Sequence, residues 1–274
     1  MSKHALAAMT QAEFRERIAR PGVILLPLGS QEPQGPHAPM GDYRLAERLA
    51  VMSAEAGDGL AAPALAFGHA DFFRGFAGGM QLRPQTFAAM LEDMIGSFLD
   101  HDLNHLLIFN GHSANAPLID QVTRGIRRRT GIAVPSLNIW KAIPPELWRD
   151  LYGEDASSVR GHGGEPLTSV ATYLFPDEMR PDLVATSAPR ARAFGVPIRG
   201  ISGVDFRGLP LQLPIDAHEV DANAMLGGSP HMASAARGKA ICDHIVHHTA
   251  RLMGQLLAHD PRKMVSDLPT ENQL

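Results

Sequence analysis

Glu32, His37 and Asp42 stand in one stretch, Gly29-Ser30-Gln31-Glu32-Pro33-Gln34-Gly35-Pro36-His37-Ala38-Pro39-Met40-Gly41-Asp42, and His112 stands in another, Gly111-His112-Ser113-Ala114-Asn115. Carboxylates and imidazoles are side chains that hold zinc, manganese or iron, and a site built from only three of them leaves positions open for water. Each residue also has a purely structural reading. Asp42 is placed to cap the helix that follows it, Glu32 to sit solvated on the loop, and His37 to hydrogen-bond across the turn. The first stretch alone does not separate the two readings. The second repeats its layout, an apolar strand running into a glycine turn. If the two strands are parallel neighbours, Glu32, Asp42 and His112 converge at one end of a sheet.

The elements that would position them are legible. Val23-Ile24-Leu25-Leu26-Pro27-Leu28 is a continuous apolar run, the pattern of a buried strand. Three glycines and three prolines then allow only a shaped loop. Tyr43 to Ala56 follows as a helix, with Leu45, Leu49 and Met52 on its apolar face. His105 to Asn110 reads as the second strand. After it Asn115 caps a helix that carries Pro117 in its first turn and runs to Thr130. Arg124, Arg127, Arg128 and Arg129 near that helix's end complement its dipole as a solvated basic end.

The rest of the chain supplies a frame. Thr10-Gln11-Ala12-Glu13 is a capping box opening a helix from Gln11 to about Ala19. Leu60 to Phe67 reads as a strand interrupted by Pro63. Gly68 to Leu82 reads as a long polar and aromatic loop. Pro84 to about His101 reads as a helix with Phe87, Met90, Leu91, Met94 and Phe98 as core. Ile132 to Trp140 reads as an irregular strand, because Pro135 cannot donate to a ladder. Lys141 to Ser158 reads as a helical excursion, and Pro166 to Leu174 and Met232 to Leu257 as helices. His244, His247 and His248 sit at helical spacing on the last of these. With no glutamate between them and no glycine loop around them, they read as an exposed helix face.

The chain has 274 residues, enough for one α/β domain with a full core. Its net charge of −4 gives no reason to expect nucleic acid or an anionic membrane as partner. Cys242 is the one cysteine, so no disulfide forms within the chain, as suits a reducing compartment. No apolar run approaches the roughly 18 residues of a membrane span, and no basic region precedes an apolar core at the N-terminus. The expectation is a soluble cytoplasmic protein. Residues 176–226, rich in proline, glycine and arginine, read as a cap or oligomer-contact segment within a single domain of residues 1–274.

Four stretches resemble the creatininase family. Gly29 to Asp42 is similar to its first loop, and Asn110-Gly111-His112-Ser113-Ala114-Asn115 to its Asn-Gly-His-x-x-Asn signature. Gly161-His162-Gly163-Gly164-Glu165-Pro166-Leu167-Thr168-Ser169 is similar to His-Ala-Gly-Glu-x-Glu-Thr-Ser. Gly227-Gly228-Ser229-Pro230-His231-Met232-Ala233-Ser234 is similar to the Gly-x-Pro-x-x-Ala-Ser stretch before the last helix. The matches fall in the family's order. The resemblance implies a three-layer αβα sandwich around a mostly parallel sheet. It implies metal-dependent hydrolysis of an amide bond in a small cyclic or formylated compound, although some members act on peptides and others open ring ketones. It also implies a homo-oligomer, commonly a hexamer.

Carried over residue by residue, Glu32, Asp42 and His112 match metal ligands, with Asp42 one residue earlier than the usual spacing. Gln34 stands where the family has a histidine ligand, and Ala114 where the Asn-Gly-His-x-Glu-Asn version has a glutamate. An amide is a weak ligand for zinc and alanine is none. The expectation is therefore one divalent metal ion per chain, zinc, manganese or iron, rather than the family's usual pair. Gln34 would hold water or substrate, and His37 would orient a ligand or replace one. His162 and Glu165 match positions suited to proton transfer, although Leu167 replaces the family's next glutamate. Phe76 to Leu82 resembles a Phe-Pro-Gly-Thr-x-Ser-Leu stretch that borders the substrate, and departs from it at Ala77, Gly79 and Gln81. Gly79 and Ser113 are the further substrate-side candidates. Two rival readings stand beside hydrolysis. One is metal-assisted isomerisation or ring opening of a sugar-like ketone, with His162 or Glu165 moving the proton. The other is a member that binds a small molecule without catalysis.

Overall fold

The computed structural model describes residues 3–185 and 192–265. Four parallel strands form the central sheet: β1 (Ile24–Leu28), β2 (Leu60–Ala61), β3 (Leu106–Asn110) and β4 (Ser136–Asn138), in the order β2-β1-β3-β4. The main helices are α1 (Gln11–Arg17), α2 (Asp42–Ala56), α3 (Pro84–Leu99), α4 (Ala116–Thr130), α5 (Pro145–Tyr152), α6 (Leu167–Leu174) and α8 (Ala235–Leu257), with a short α7 (Ala217–Val220) before the last.

Alternation along the strands builds two cores. Leu25, Leu107 and Phe109 face one layer, where they pack with Leu45 and Leu49 of α2, Val170 of α6, and Ile241 and Ile245 of α8. Ile24, Leu26 and Ile108 face the other, against Phe87, Leu91 and Ile95 of α3 and Ile119, Val122 and Ile126 of α4. All five residues of β1 and all five of β3 are buried, as a parallel sheet covered on both faces requires. The result is the three-layer αβα sandwich expected.

Several boundaries differ from the sequence reading. Only Leu60 and Ala61 of the second strand pair in the sheet, with one further bridge between Leu28 and Leu65, because Pro63 lacks the N–H to continue. β4 is three residues long, and Trp140 lies in a 3₁₀ turn after it. Met90 is 37% exposed and is not core. α8 opens at Ala235, where the Ser234 hydroxyl accepts from the Arg237 amide. The capping box of α1 is present as read, between Thr10 and Glu13.

Within residues 176–226 the chain forms small antiparallel ribbons, β5 (Arg192–Ala193) with β6 (Val196–Pro197) and β7 (Gly203–Phe206) with β8 (Leu209–Gln212). Phe194, Phe206, Leu209 and Leu211 are exposed there. Residues 186–191 of this segment lie outside the described residues. Among the described residues, no helix is long and apolar enough to cross a membrane.

Candidate metal centre

The strand order reverses at β1 and β3, parallel neighbours paired in register from Ile24 with Leu106 to Leu28 with Asn110, because β2 lies on one side of β1 and β3 on the other. At such a switch point the loops leaving two adjacent strands diverge and open a crevice at their carboxyl ends. The loop after β1 carries Glu32 and leads to Asp42, the first residue of α2, and the loop after β3 carries His112. All three side chains are buried, and their ligand atoms lie within 4.8 Å of one another.

The three are held before any ligand arrives. His112 Nδ1 lies 3.0 Å from Asp42 Oδ2 and 3.2 Å from Glu32 Oε2. Ser30 anchors both carboxylates, its amide donating to Asp42 Oδ1 at 2.6 Å and its hydroxyl to Glu32 Oε2 at 2.7 Å. The Gln34 amide donates to Glu32 Oε1 at 3.1 Å. Asn115 is not a helix cap. Its side chain accepts from the His69 amide at 2.9 Å and donates to the Gly29 carbonyl at 3.2 Å, tying three loops together. The helix-cap reading of Asp42 gives way in the same manner, since its carboxylate faces Ser30 and His112.

The charges in this cluster push against one another. Burial and the neighbouring Glu32 charge raise the Asp42 carboxyl to about 7, against smaller opposing effects of His112 and the Ser30 amide. Burial works against both a charged His112 and a charged Glu32. The attraction between them outweighs it, raising the imidazole well above 6.5 and lowering the Glu32 carboxyl. Two crowded carboxylates and an imidazole that takes a proton in compensation are the donor set that a divalent cation satisfies. The residues present therefore fit a metal ion.

The third and fourth sequence stretches close the crevice. Gly161 and Gly228 meet backbone to backbone; a Cβ on Gly161 would stand 2.3 Å from the Gly228 nitrogen. This contact sets His162, whose Nε2 donates to the Pro33 carbonyl at 2.6 Å, leaving Nδ1 3.7 Å from Glu32 Oε1. Burial lowers the His162 imidazole below its ordinary value despite the Glu32 charge. Glu165 is buried and accepts from the Tyr152 hydroxyl at 2.7 Å and the Ser169 hydroxyl at 2.9 Å. Burial raises its carboxyl, and the two hydroxyls oppose that shift.

A cavity of about 420 Å³ opens over the cluster, lined by Glu32, Asp42, His112, Ser113, His162 and Glu165 among others. Phe72, Phe73 and Trp140 form its aromatic wall, with Phe73 4.4 Å from the His162 ring. Gln34 touches Glu32 from behind and does not line the cavity. The His37 ring bonds Thr168 at the start of α6, 3.3 Å away, rather than a member of the cluster. Gly79 lies beside the Gln31 carbonyl, and no residue of Phe76 to Leu82 reaches the cavity wall. His244 and His247 each make a ring contact with His248, and the three form no candidate metal-holding group among the described residues. The sequence reading gives no site role to Ser30, Tyr152 or Ser169, and takes Phe72 and Phe73 only as part of the polar and aromatic loop Gly68 to Leu82. Tyr152 carried no signal at all, since its place is set by how α5 packs.

Comparison with known proteins agrees with this geometry. The creatininase family, described as creatinine amidohydrolase, matches residues 7–253. A 3-dehydro-scyllo-inosose hydrolase from Thermotoga maritima is 26% identical over 66% of this chain and 60% of its own length. The chain thus spans about three fifths of that curated relative. A crystal structure of creatinine amidohydrolase (creatininase) is 25% identical with a TM-score of 0.78, over 95% of this chain and 100% of that one. A creatininase structure described with Mn is 25% identical with a TM-score of 0.77, over 94% of this chain and 100% of that one. With a buried carboxylate and imidazole cluster at the switch point of an αβα sandwich and a family match over nearly the whole sequence, this chain belongs to the creatininase family.

Proposed function

We propose that this protein is a hydrolase of a small cyclic amide or related carbonyl compound, working with one divalent metal ion held by Glu32, Asp42 and His112. The observation that carries the reading is the buried cluster of these three side chains at the floor of a cavity sized for a small molecule. Bound there, the ion would supply Lewis acidity and a hydroxide nucleophile at neutral pH.

The chain's own groups do the rest. Ser30 keeps both carboxylates aimed inward, and Gln34 holds the outer oxygen of Glu32. His162 donates its Nε2 proton to Pro33, so Nδ1 is the atom that takes a proton in the cavity and returns it to the leaving nitrogen or oxygen. Glu165, raised by burial, retains its proton to higher pH than a solvated carboxyl and acts as the companion acid. Phe72, Phe73 and Trp140 limit water at the reacting carbonyl. His37 steadies the Gly163–Thr168 turn through Thr168 and so acts at a distance. Ser113 stands on the wall in position to touch substrate.

Protein purified without chelator should contain about one transition-metal ion per chain by elemental analysis, as a three-ligand site requires. Lactams, hydantoins and ketoses should then be screened for ring-opened product. Absence of tight metal, with no activity gained on adding zinc, manganese or iron, would defeat the reading. Creatinine should be a poor substrate, because Ala114 stands on the cavity wall where the resemblance expects a glutamate.

A further inference from the structure

The cavity has a charge pattern that the metal cluster does not account for. Lys141 and Arg160 both line it and both are exposed at its rim. Arg160 is fixed in place, with its guanidinium 3.9 Å over the Trp148 ring and its backbone bridged to Glu165. A guanidinium stacked by its face keeps its edge N–H donors free for a planar oxyanion. Arg44, Arg74, Arg124, Arg129 and Arg180 are matched with carboxylates, and what sets Arg160 and Lys141 apart from the other arginines and lysines is their place on the cavity wall. Among the described residues, neither Arg160 nor Lys141 has a carboxylate partner.

The acidic side chains on the wall are Glu32, Asp42 and Glu165. A divalent cation on the first two balances their charge. Both oxygens of the third accept hydroxyl hydrogen bonds from Tyr152 and Ser169. Among the described residues neither cation of the rim is paired with any of these carboxylates. We propose that the substrate carries an oxyanion, a carboxylate or phosphate, at the end remote from the carbonyl under attack, and that Arg160 with Lys141 binds it. This names the substrate class of the hydrolase reading and rests on it.

The test uses matched ligands on the metal-loaded full chain: hydantoin against hydantoin-5-acetate, and 2-pyrrolidinone against pyroglutamate. Calorimetry reads binding, and kcat/KM reads turnover where it occurs. The anionic member should bind about tenfold or more tighter. Arg160→Gln should lower the anionic-to-neutral ratio about tenfold, and the double variant with Lys141→Gln should bring it near one. Competition by methyl phosphate and by acetate, lost in the double variant, identifies which oxyanion the rim prefers. A ratio near one in the unmodified protein, or one that survives in the double variant, overturns the proposal. Loss of metal would instead sink the hydrolase reading, whereas metal-loaded protein that opens rings without anion preference sinks only this inference.

Discussion

Each side chain of the cluster is held by a neighbour whose removal has a distinct signature. His112 lies between two buried carboxylates, so His112→Ala leaves them facing each other with neither imidazole nor cation between. Metal affinity should fall by about 100-fold or more, exceeding the usual cost of losing a supporting residue, and activity should fall with it. Elemental analysis after dialysis checks the first and turnover the second. Tyr152 acts on Glu165 through one hydrogen bond that favours the charged carboxylate. Tyr152→Phe should therefore raise the Glu165 carboxyl further and, since Glu165 acts in its protonated form, move the alkaline limb of the pH–rate profile to higher pH. Its stability cost should be about 1 kcal/mol, measured by urea unfolding. An unchanged profile would remove Glu165 from proton transfer.

At the scale of elements, the site depends on helices that approach closely. Gly238 of α8 lies against α6 so tightly that a Cβ there would stand 2.0 Å from the Ser169 carbonyl oxygen. Ser169 in turn holds Glu165 and accepts from the Ser234 amide at the start of α8. Gly238→Val must push the two helices apart. The expected loss is about 2 kcal/mol in urea unfolding, together with reduced turnover because Glu165 loses its support. Loss of stability with full turnover would show that the α6–α8 contact and the site are independent. The loops after β1 and β3 are braced differently, by the Asn115 side chain rather than by close backbone approach.

For the molecule as a whole, the proposed metal and protons would compete for one cluster. Without metal, Asp42 and His112 both hold protons in the folded state at pH values where the unfolded chain has released them. Folded protein then binds the excess, so this contribution to stability is lost as pH rises through about 7 for Asp42 and beyond that for His112. The lowered Glu32 works in the opposite sense, but only at acid pH, below the ordinary carboxylate value. A divalent cation bound at the cluster would take the place of those protons, and its benefit would grow with pH. The gap in Tm between metal-loaded and chelated protein should widen from about pH 5.5 to about pH 7.5. A gap that narrows over that range would mean the metal sits elsewhere.

Much of this was legible in the sequence. The apolar runs before Gly29 and Gly111, each followed by a glycine turn and a helix, already imply two buried parallel strands with their loops at one end. The residue types in those loops imply a metal, because local order places them just past a strand end whatever the rest of the chain does. What the sequence left open depends on contacts between distant segments. That Asn115 braces loops instead of capping α4, that Tyr152 reaches Glu165, and that Gly79 stays off the cavity wall are all settled by packing. So is the pairing of Arg160 with Trp148 at the rim. Periodicity reports which face of an element is buried. Only the folded arrangement decides which polar atoms from separate elements come within hydrogen-bond reach, because that depends on how far each helix can approach its neighbour.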